Sequence, residues 1–404
     1  MANLKLNGVN KVYPSGSLAL HNISLEAKDK EFLVISGGEN SGKSTLLRVI
    51  AGLEDVTSGE IFIGDKDATE AAPKDRDITM VFKSDTLYPN MTVFENMAYG
   101  LRVRKAPQTL VEQRVKAAAA ILGLESLLYR KPKMLTAAQK QRVAIARSIV
   151  REPKLYLFDE PLSGLDDKLK AELLNIVINM QARMQGTFIY STKNVAEAMT
   201  IGTRIVVLKN GIVQQIDTPA NLYDYPVNAY VAFYIGAPTI NFINDAEIQK
   251  TEEGLFVVGG GLKIPLTEKI SQRFENLADY AGTGKRVIAG IRPEDAHCGA
   301  EGFDAACTEV KKDGENAFAE CDASGNVFVA VCDAKTEKGA KVKIKVDADR
   351  LYLFDADTRL TLLSRDGGYE KTEFAEADYV PPTFAEEEAI IKRAKPEKNT
   401  KKKK

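Results

Sequence analysis

No stretch of this sequence approaches the ~18 consecutive apolar residues that a membrane-spanning helix needs, so a soluble chain is expected. The N-terminus, MANLKLNGVNKVYPSGS, lacks the basic region and apolar run of a secretory signal, which points to the cytoplasm. Histidine is scarce: His21 and His297 stand near no convincing ligand set, and each reads as a structural or surface residue. The four cysteines, Cys298, Cys307, Cys321 and Cys332, match no zinc spacing and sit in no secretory context, so they read as small buried or half-buried side chains. An excess of one charge is also missing. With 55 basic and 56 acidic side chains the net charge is −1, which gives no global field for a nucleic-acid backbone. No nucleic-acid partner is expected, and any charged ligand must be met locally.

What is present is ordinary globular material: 44% hydrophobic and 27% charged residues over 404 positions, enough to bury a core and too many positions for a single one. Glu31 to Ser36 (EFLVIS) is a short apolar run that stops at Gly37, and a helical pattern, SGKSTLLRVIAGL, follows at once. KLYLF, ending in Asp159-Glu160-Pro161, and TFIYS at Thr187 to Ser191 read as further strands, the latter followed by a helix at Val195 to Thr200. Alternation of this kind predicts a parallel α/β sheet. Residues 85–150 read as an inserted helical lobe, with amphipathic runs from about Gln108 to Leu122 and Ala137 to Val150. After residue 235 the texture turns to short β-rich runs (GLFVV, RVIAGI, NVFVAV, KVKIKV), which predicts a second, all-β domain over 236–365. Gly259-Gly260-Gly261 reads as a hairpin turn there. Residues 366–404, acidic, Pro-containing and ending in Lys401 to Lys404, read as a disordered tail.

Gly37-Gly38-Glu39-Asn40-Ser41-Gly42-Lys43-Ser44 fits G-x-x-x-x-G-K-[ST], the phosphate loop. Its glycines let backbone N–H groups curl around an anion, Lys43 adds a point charge at the terminal phosphates, and the Ser44 hydroxyl is a Mg²⁺ ligand at a helix N-terminus. A chance match in a chain of this length is expected only about one or two times in a hundred, and the preceding strand and following helix are the context the motif requires. Asp159-Glu160 alone would read as a strand-end turn. Paired with the loop, Asp159 becomes a metal partner through water and Glu160 the candidate general base.

The order of these motifs resembles the ATP-binding subunits of ABC transporters, in particular the carbohydrate-importer group typified by maltose and glycerol-phosphate systems. The likeness runs from Lys11-Val12-Tyr13 to Gly290-Ile291-Arg292-Pro293-Glu294 and includes PKDRDITMVF, LYPNMTVFENMAYGL, QRVAIARSIVREPKLYLFDEPLSGLD and GTRIVVLKNG. It implies an α/β P-loop NTPase: a RecA-like core with β and α-helical subdomains, followed by a C-terminal all-β OB-like or TOBE-type domain. It also implies ATP and Mg²⁺ as cofactors, bound by Tyr13 against adenine and by Gly37, Gly38, Glu39, Asn40, Ser41, Gly42, Lys43, Ser44 and Thr45, with Ser44 and Asp159 toward the metal. Two subunits, identical or different, would sandwich two nucleotides, each site completed by the partner's signature, Leu135, Thr136, Ala137, Ala138 and Gln139 here, and by the loop holding Ser163 and Asp166. Leu87 to Asn96 would dock the membrane permease, at the cytoplasmic face of the plasma membrane, in a complex that also includes an extracytoplasmic solute-binding protein.

This chain departs from that family at chosen places. Lys83 stands where the family has the glutamine that touches Mg²⁺ and the attacking water, and an ammonium has no acceptor lone pair for a cation. Ala137 and Ala138 replace two signature glycines, and Lys193 replaces the histidine that contacts the γ-phosphate. Glu39 puts a carboxylate near the phosphates, and Asn40 replaces a glycine with the residue best suited to left-handed backbone. Groups that hold nucleotide persist while groups that sense its last phosphate are altered, so binding with impaired turnover is expected. The alternative expectation is a catalytically degenerate regulatory or structural partner in a heterodimer with a conventional ABC ATPase.

Overall fold

The computed structural model describes residues 3–83, 87–313, 316–364 and 382–394. The chain divides into two compact units, Met1–Pro219 with Ile391–Lys404, and Ala220–Ile390.

The first unit opens with antiparallel strands β1 (Leu4–Val12) and β2 (Leu18–Ala27), then β3 (Phe32–Ser36), helix α1 (Lys43–Ala51), β4 (Ser58–Ile63), β5 (Lys66–Asp67) and β6 (Ile78–Val81). Helices α2 (Val93–Val103), α3 (Gln108–Leu122) and α4 (Ala137–Ile149) form the helical lobe, two of them starting on Thr capping boxes at Thr92 and Thr136. Then come β7 (Leu155–Asp159), α5 (Asp167–Met184), β8 (Thr187–Thr192), α6 (Val195–Ile201), β9 (Arg204–Lys209) and β10 (Ile212–Asp217). The main sheet runs β10-β9-β3-β8-β7-β6, parallel except for β10, and a second, antiparallel sheet runs β2-β1-β4-β5. Every residue of β3, β7 and β8 is buried, as continuous apolar runs in a doubly covered parallel sheet should be. Because β8 lies between β3 and β7, pairing Ser36 with Thr192 and Asp159 with Ser191, the C-terminal ends of all three strands open at one edge. In open parallel sheets that edge is where ligands bind.

The second unit begins with α7 (Pro219–Asp224, its first residue still in the first unit) and α8 (Ala229–Tyr234), so the division falls before residue 235. The reason is packing: Ala229 and Ala232 belong to the core of the β domain. A five-stranded antiparallel sheet follows, made of β11 (Asn241–Thr251), β12 (Gly254–Gly259), β13 (Leu262–Leu266), β14 (Arg286–Ile291) and, later, β20 (Tyr352–Asp355), with the short helix α9 (Glu268–Ser271) after β13. A closed barrel is made by β15 (Ala296–Gly299), β16 (Phe303–Asp313), β17 (Asn316–Ala323), β18 (Asn326–Cys332) and β19 (Lys341–Val346). Gly260 and Gly261, at φ +55° and +76°, make the hairpin turn between β12 and β13. Arg292 is buried without a carboxylate: its guanidinium donates to the carbonyls of Ala232, Ile235 and Tyr223 at 2.8, 2.5 and 2.9 Å and lies over the Tyr223 ring at 4.1 Å.

The segment expected as a disordered tail holds a helix, α10 (Phe384–Ala394). Thr383 and Glu386 form a capping box at its start, and the Arg359 guanidinium sits 4.1 Å from the Phe384 ring centre, contacts that offset the cost of ordering it. Lys401 to Lys404 lie outside the described residues.

Candidate functional site

The phosphate loop turns between β3 and α1 under tight backbone constraint. A side chain at Gly37 would place its Cβ 2.2 Å from the Leu208 carbonyl, and Gly42 has φ +104° with the Ala19 carbonyl 2.8 Å from where a Cβ would go. Asn40 takes φ +59°, the left-handed conformation expected of the residue that replaces a glycine. Lys43, the first residue of α1, is buried, and its Nζ donates to the Gly37 and Gly38 carbonyls at 2.9 and 2.7 Å and approaches Ser41 Oγ at 3.3 Å. Burial pushes its ammonium below the usual lysine value, and the neighbouring Glu160 carboxylate opposes this.

At the end of β7, Asp159 accepts hydrogen bonds on one oxygen from Ser44 Oγ at 2.8 Å and Ser191 Oγ at 3.0 Å. Glu160 follows at φ +43°, a strained backbone for a non-glycine residue, fixed by its N–H to the Ser191 carbonyl at 3.1 Å and by Ser163 Oγ donating to its own carbonyl at 2.9 Å. The kink turns its carboxylate toward the loop. There Lys83 Nζ donates to Glu160 Oε2 at 2.9 Å, and Lys43 Nζ stands 3.7 Å from Oε1. The mouth of the site is spanned by a second pair, Lys193 Nζ to Glu39 Oε1 at 2.8 Å. Their hydrogen bond and mutual charge hold the Glu39 carboxyl below the ordinary glutamate value and raise the Lys193 ammonium.

These groups enclose a cavity of roughly 420 Å³ lined by the loop from Glu39 to Thr45 together with Ser17, Leu18, Ala19, Lys83, Glu160 and Lys193. Three ammonium groups, Lys43, Lys83 and Lys193, and two carboxylates, Glu39 and Glu160, line it, with Asp159 bonded to Ser44 beside them, and a polyphosphate can enter by replacing Glu39 on Lys193 and the loop carbonyls on Lys43 with its own oxygens. Ser44 and Asp159 offer a hydroxyl and a carboxylate side by side, hard oxygen donors suited to Mg²⁺. Among the described residues no group of three or more His, Cys, Asp or Glu side chains is placed to hold a metal by itself.

Other expected residues lie at the edges of this arrangement. Tyr13 is half-buried beside α1, its hydroxyl 3.3 Å from Thr45 Oγ1 and its ring under Lys11 Nζ at 5.1 Å. Leu135 to Gln139 do not line the cavity; Thr136 caps α4 by accepting from Gln139 N–H at 3.2 Å, with Ala137 exposed and Ala138 buried. Asp166 caps α5 through Leu169 N–H at 3.0 Å. Ser191 was missed in sequence; it sits at a strand end with no motif of its own, and only the β7–β8 register brings it to Asp159. In the segment 87–96, buried Asn96 ties the loop by accepting from Tyr88 N–H and donating to the Tyr88, Met91 and Thr92 carbonyls. Tyr88 meets Tyr99 at a 4.6 Å ring separation beside a second cavity of roughly 370 Å³ that also includes Leu53, Phe82 and Arg147.

The fold and the site define a P-loop NTPase with an inserted helical lobe. Residues 20–163 match the ABC transporter family, and residues 236–296 match the MalK OB fold domain. The oligosaccharides import ATP-binding protein MsmX of Bacillus subtilis is 39% identical over 373 residues, 90% of this chain and 100% of that protein. The sn-glycerol-3-phosphate import ATP-binding protein UgpC of Bordetella avium is 40% identical over 344 residues, 85% of this chain and 92% of that protein. Among solved structures, cbiO1 of Clostridium perfringens, part of the ABC transporter complex cbiONQ, superposes with a TM-score of 0.50 at 30% identity, covering 53% of this chain and 87% of that one. The chain belongs to the family of ATP-binding proteins of ABC import systems.

Proposed function

We propose that this chain binds MgATP as a subunit of an importer for a carbohydrate or polyol-like solute, and that its own hydrolysis is slow. The solute class rests on the import proteins it resembles. The observation that carries slow turnover is the hydrogen bond from Lys83 to Glu160 at 2.9 Å. A general base must present a carboxylate oxygen to the attacking water. Here one oxygen of Glu160 is held by Lys83 and the other faces Lys43. Ser44 and Asp159 would hold a Mg²⁺ ion, which would supply neutralisation of phosphate charge. The protein's part is to cradle the phosphates on the loop N–H groups, place Lys43 against the terminal phosphates, and hold Ser44 and Asp159 toward the metal.

A second reading is supported by Ala137 and Ala138, which open α4 where the resembled family has two signature glycines that allow close backbone approach to a partner's nucleotide. In it the chain is a degenerate partner of a conventional ABC ATPase, its loop meeting an intact signature in trans. In both readings the chain sits at the cytoplasmic face of the plasma membrane, contacts permease subunits through Leu87 to Asn96, and works with an extracytoplasmic solute-binding protein. Among the described residues no helix is long and apolar enough to cross a membrane.

Steady-state ATP hydrolysis by the purified chain, alone and mixed with a conventional ABC ATPase, with Glu160→Gln as control, separates these readings. Slow turnover alone that rises only in the mixture supports the heterodimer. Brisk turnover alone, abolished by Glu160→Gln, refutes the impairment. Co-purification with permease subunits tests the importer role itself.

A further inference from the structure

The four cysteines are scattered over 35 positions of sequence, yet each lies on a different strand of the closed barrel: Cys298 on β15, Cys307 on β16, Cys321 on β17 and Cys332 on β18. Cys307 and Cys321 are direct cross-strand partners, with sulfurs 3.3 Å apart. Cys307 turns its N–H to the Ala340 carbonyl and its C=O to the Gly339 N–H, away from β17. The pair is therefore a non-hydrogen-bonded one, the arrangement that brings opposite Cα atoms closest, to about 4.5 Å, within the reach of a disulfide. A register shift directly after Cys307 leaves that strand room to adjust. Cys307, Cys321 and Cys332 are buried, while Cys298 is only half-buried.

We propose that this barrel is a peroxide-responsive thiol site in which Cys298 receives the oxidant and the oxidation is stored as a Cys307–Cys321 disulfide. Cys298 is the accessible thiol, and the neighbouring Cys321 thiol lowers it below the ordinary cysteine value, which favours the nucleophilic thiolate. Its sulfur attacks a peroxide oxygen; the S–O bond forms, the O–O bond breaks, and the released hydroxide takes a proton and leaves as water. The Cys321 sulfur then attacks the sulfenic sulfur, forming S–S and breaking S–O, and its proton leaves with the hydroxyl as a second water. Cys307, 3.3 Å away, attacks Cys321, moving the disulfide to the cross-strand pair and returning its own proton to Cys298. Two thiols lose two electrons and two protons in total, and one peroxide becomes two waters.

The test treats the full-length native protein with hydrogen peroxide, blocks remaining thiols with N-ethylmaleimide, and maps unreduced peptides by mass spectrometry. The expected result is a Cys307–Cys321-linked peptide that reverts with dithiothreitol. Cys298→Ser should slow its formation by about tenfold or more, Cys321→Ser should leave a dimedone-reactive Cys298, and Cys332→Ser should change neither. Mapping the unsubstituted protein needs no variant to fold. All four thiols left unmodified, oxidation confined to Cys298, or linkage only between chains would each overturn the proposal.

Discussion

Lys193 Nζ lies 2.8 Å from Glu39 Oε1, so a residue of the phosphate loop and a residue beyond β8 are joined across the mouth of the nucleotide cavity. Both replace residues usual in the family, and each replacement supplies the other's counter-charge. Lys83 likewise finds a counter-charge, in Glu160, the retained candidate base. Three of the departures are therefore tied into two ion pairs.

Lys193→Ala should leave the Glu39 carboxylate facing incoming phosphate without its partner and weaken MgATP binding by about five- to tenfold, with additional loss at low salt. Glu39→Ala in that background should recover most of the loss. Calorimetric titration of the two single variants and the double variant measures the coupling. Because both side chains are exposed, thermal stability should not move.

Lys43→Ala should abolish nucleotide binding while the chain stays folded, since the buried ammonium meets only groups of the site itself: the Gly37 and Gly38 carbonyls, Ser41 Oγ and the Glu160 carboxylate. Fluorescence titration with a labelled ATP checks the loss of affinity. Circular dichroism checks the fold.

Asp295 is half-buried, and its carboxyl is pushed up to about 6 by desolvation first and by the Glu294 charge second. The folded state therefore binds this proton more tightly than the unfolded chain, whose value is about 3.9, so the group's contribution falls as pH rises from about 4 to about 6 and stays unfavourable above. Asp295→Asn should raise the melting midpoint of the second unit by a few degrees at pH 7 and lose that gain near pH 4. Scanning calorimetry at both pH values reads the difference.

Arg292→Ala should destabilise the second unit by ~2–4 kcal/mol, because the buried Ala232 and Ile235 carbonyls and the part-buried Tyr223 carbonyl lose their donor. Arg292→Lys should recover only part of it, since an ammonium cannot reproduce the planar fork or the stacking on Tyr223. Urea unfolding followed by tyrosine fluorescence gives both values.

The parallel sheet and the nucleotide loop were legible because their signals are local. The β3 run, the G-x-x-x-x-G-K-S spacing and the Asp159-Glu160 strand end each specify their own backbone. The amphipathic period likewise predicted α3 over Gln108 to Leu122. What was not legible depends on register and on charge pairing between distant positions. Nothing in the sequence near Ser191 announces its bond to Asp159, and Lys83 is 77 positions from the carboxylate it meets. The four cysteines read as separate small fillers because the β16–β17 register that pairs Cys307 with Cys321, and the barrel that gathers all four strands, are not written in their spacing. The helix at Phe384 was lost to a compositional reading of the tail, although its Thr383 and Glu386 carry a capping-box pattern that sequence alone contains.

The central claim is that Lys83 keeps Glu160 from serving as base while nucleotide still binds. The direct measurement is kcat for ATP hydrolysis in Lys83→Gln beside the unsubstituted chain, with the MgATP Kd of each determined by calorimetry. The account predicts a rise in kcat of about tenfold or more, less than the full cost of one such contact because Lys193, Ala137 and Ala138 remain, with Kd changed by less than about threefold. An unchanged or lower kcat in Lys83→Gln, or no measurable MgATP binding by the unsubstituted chain, would contradict it.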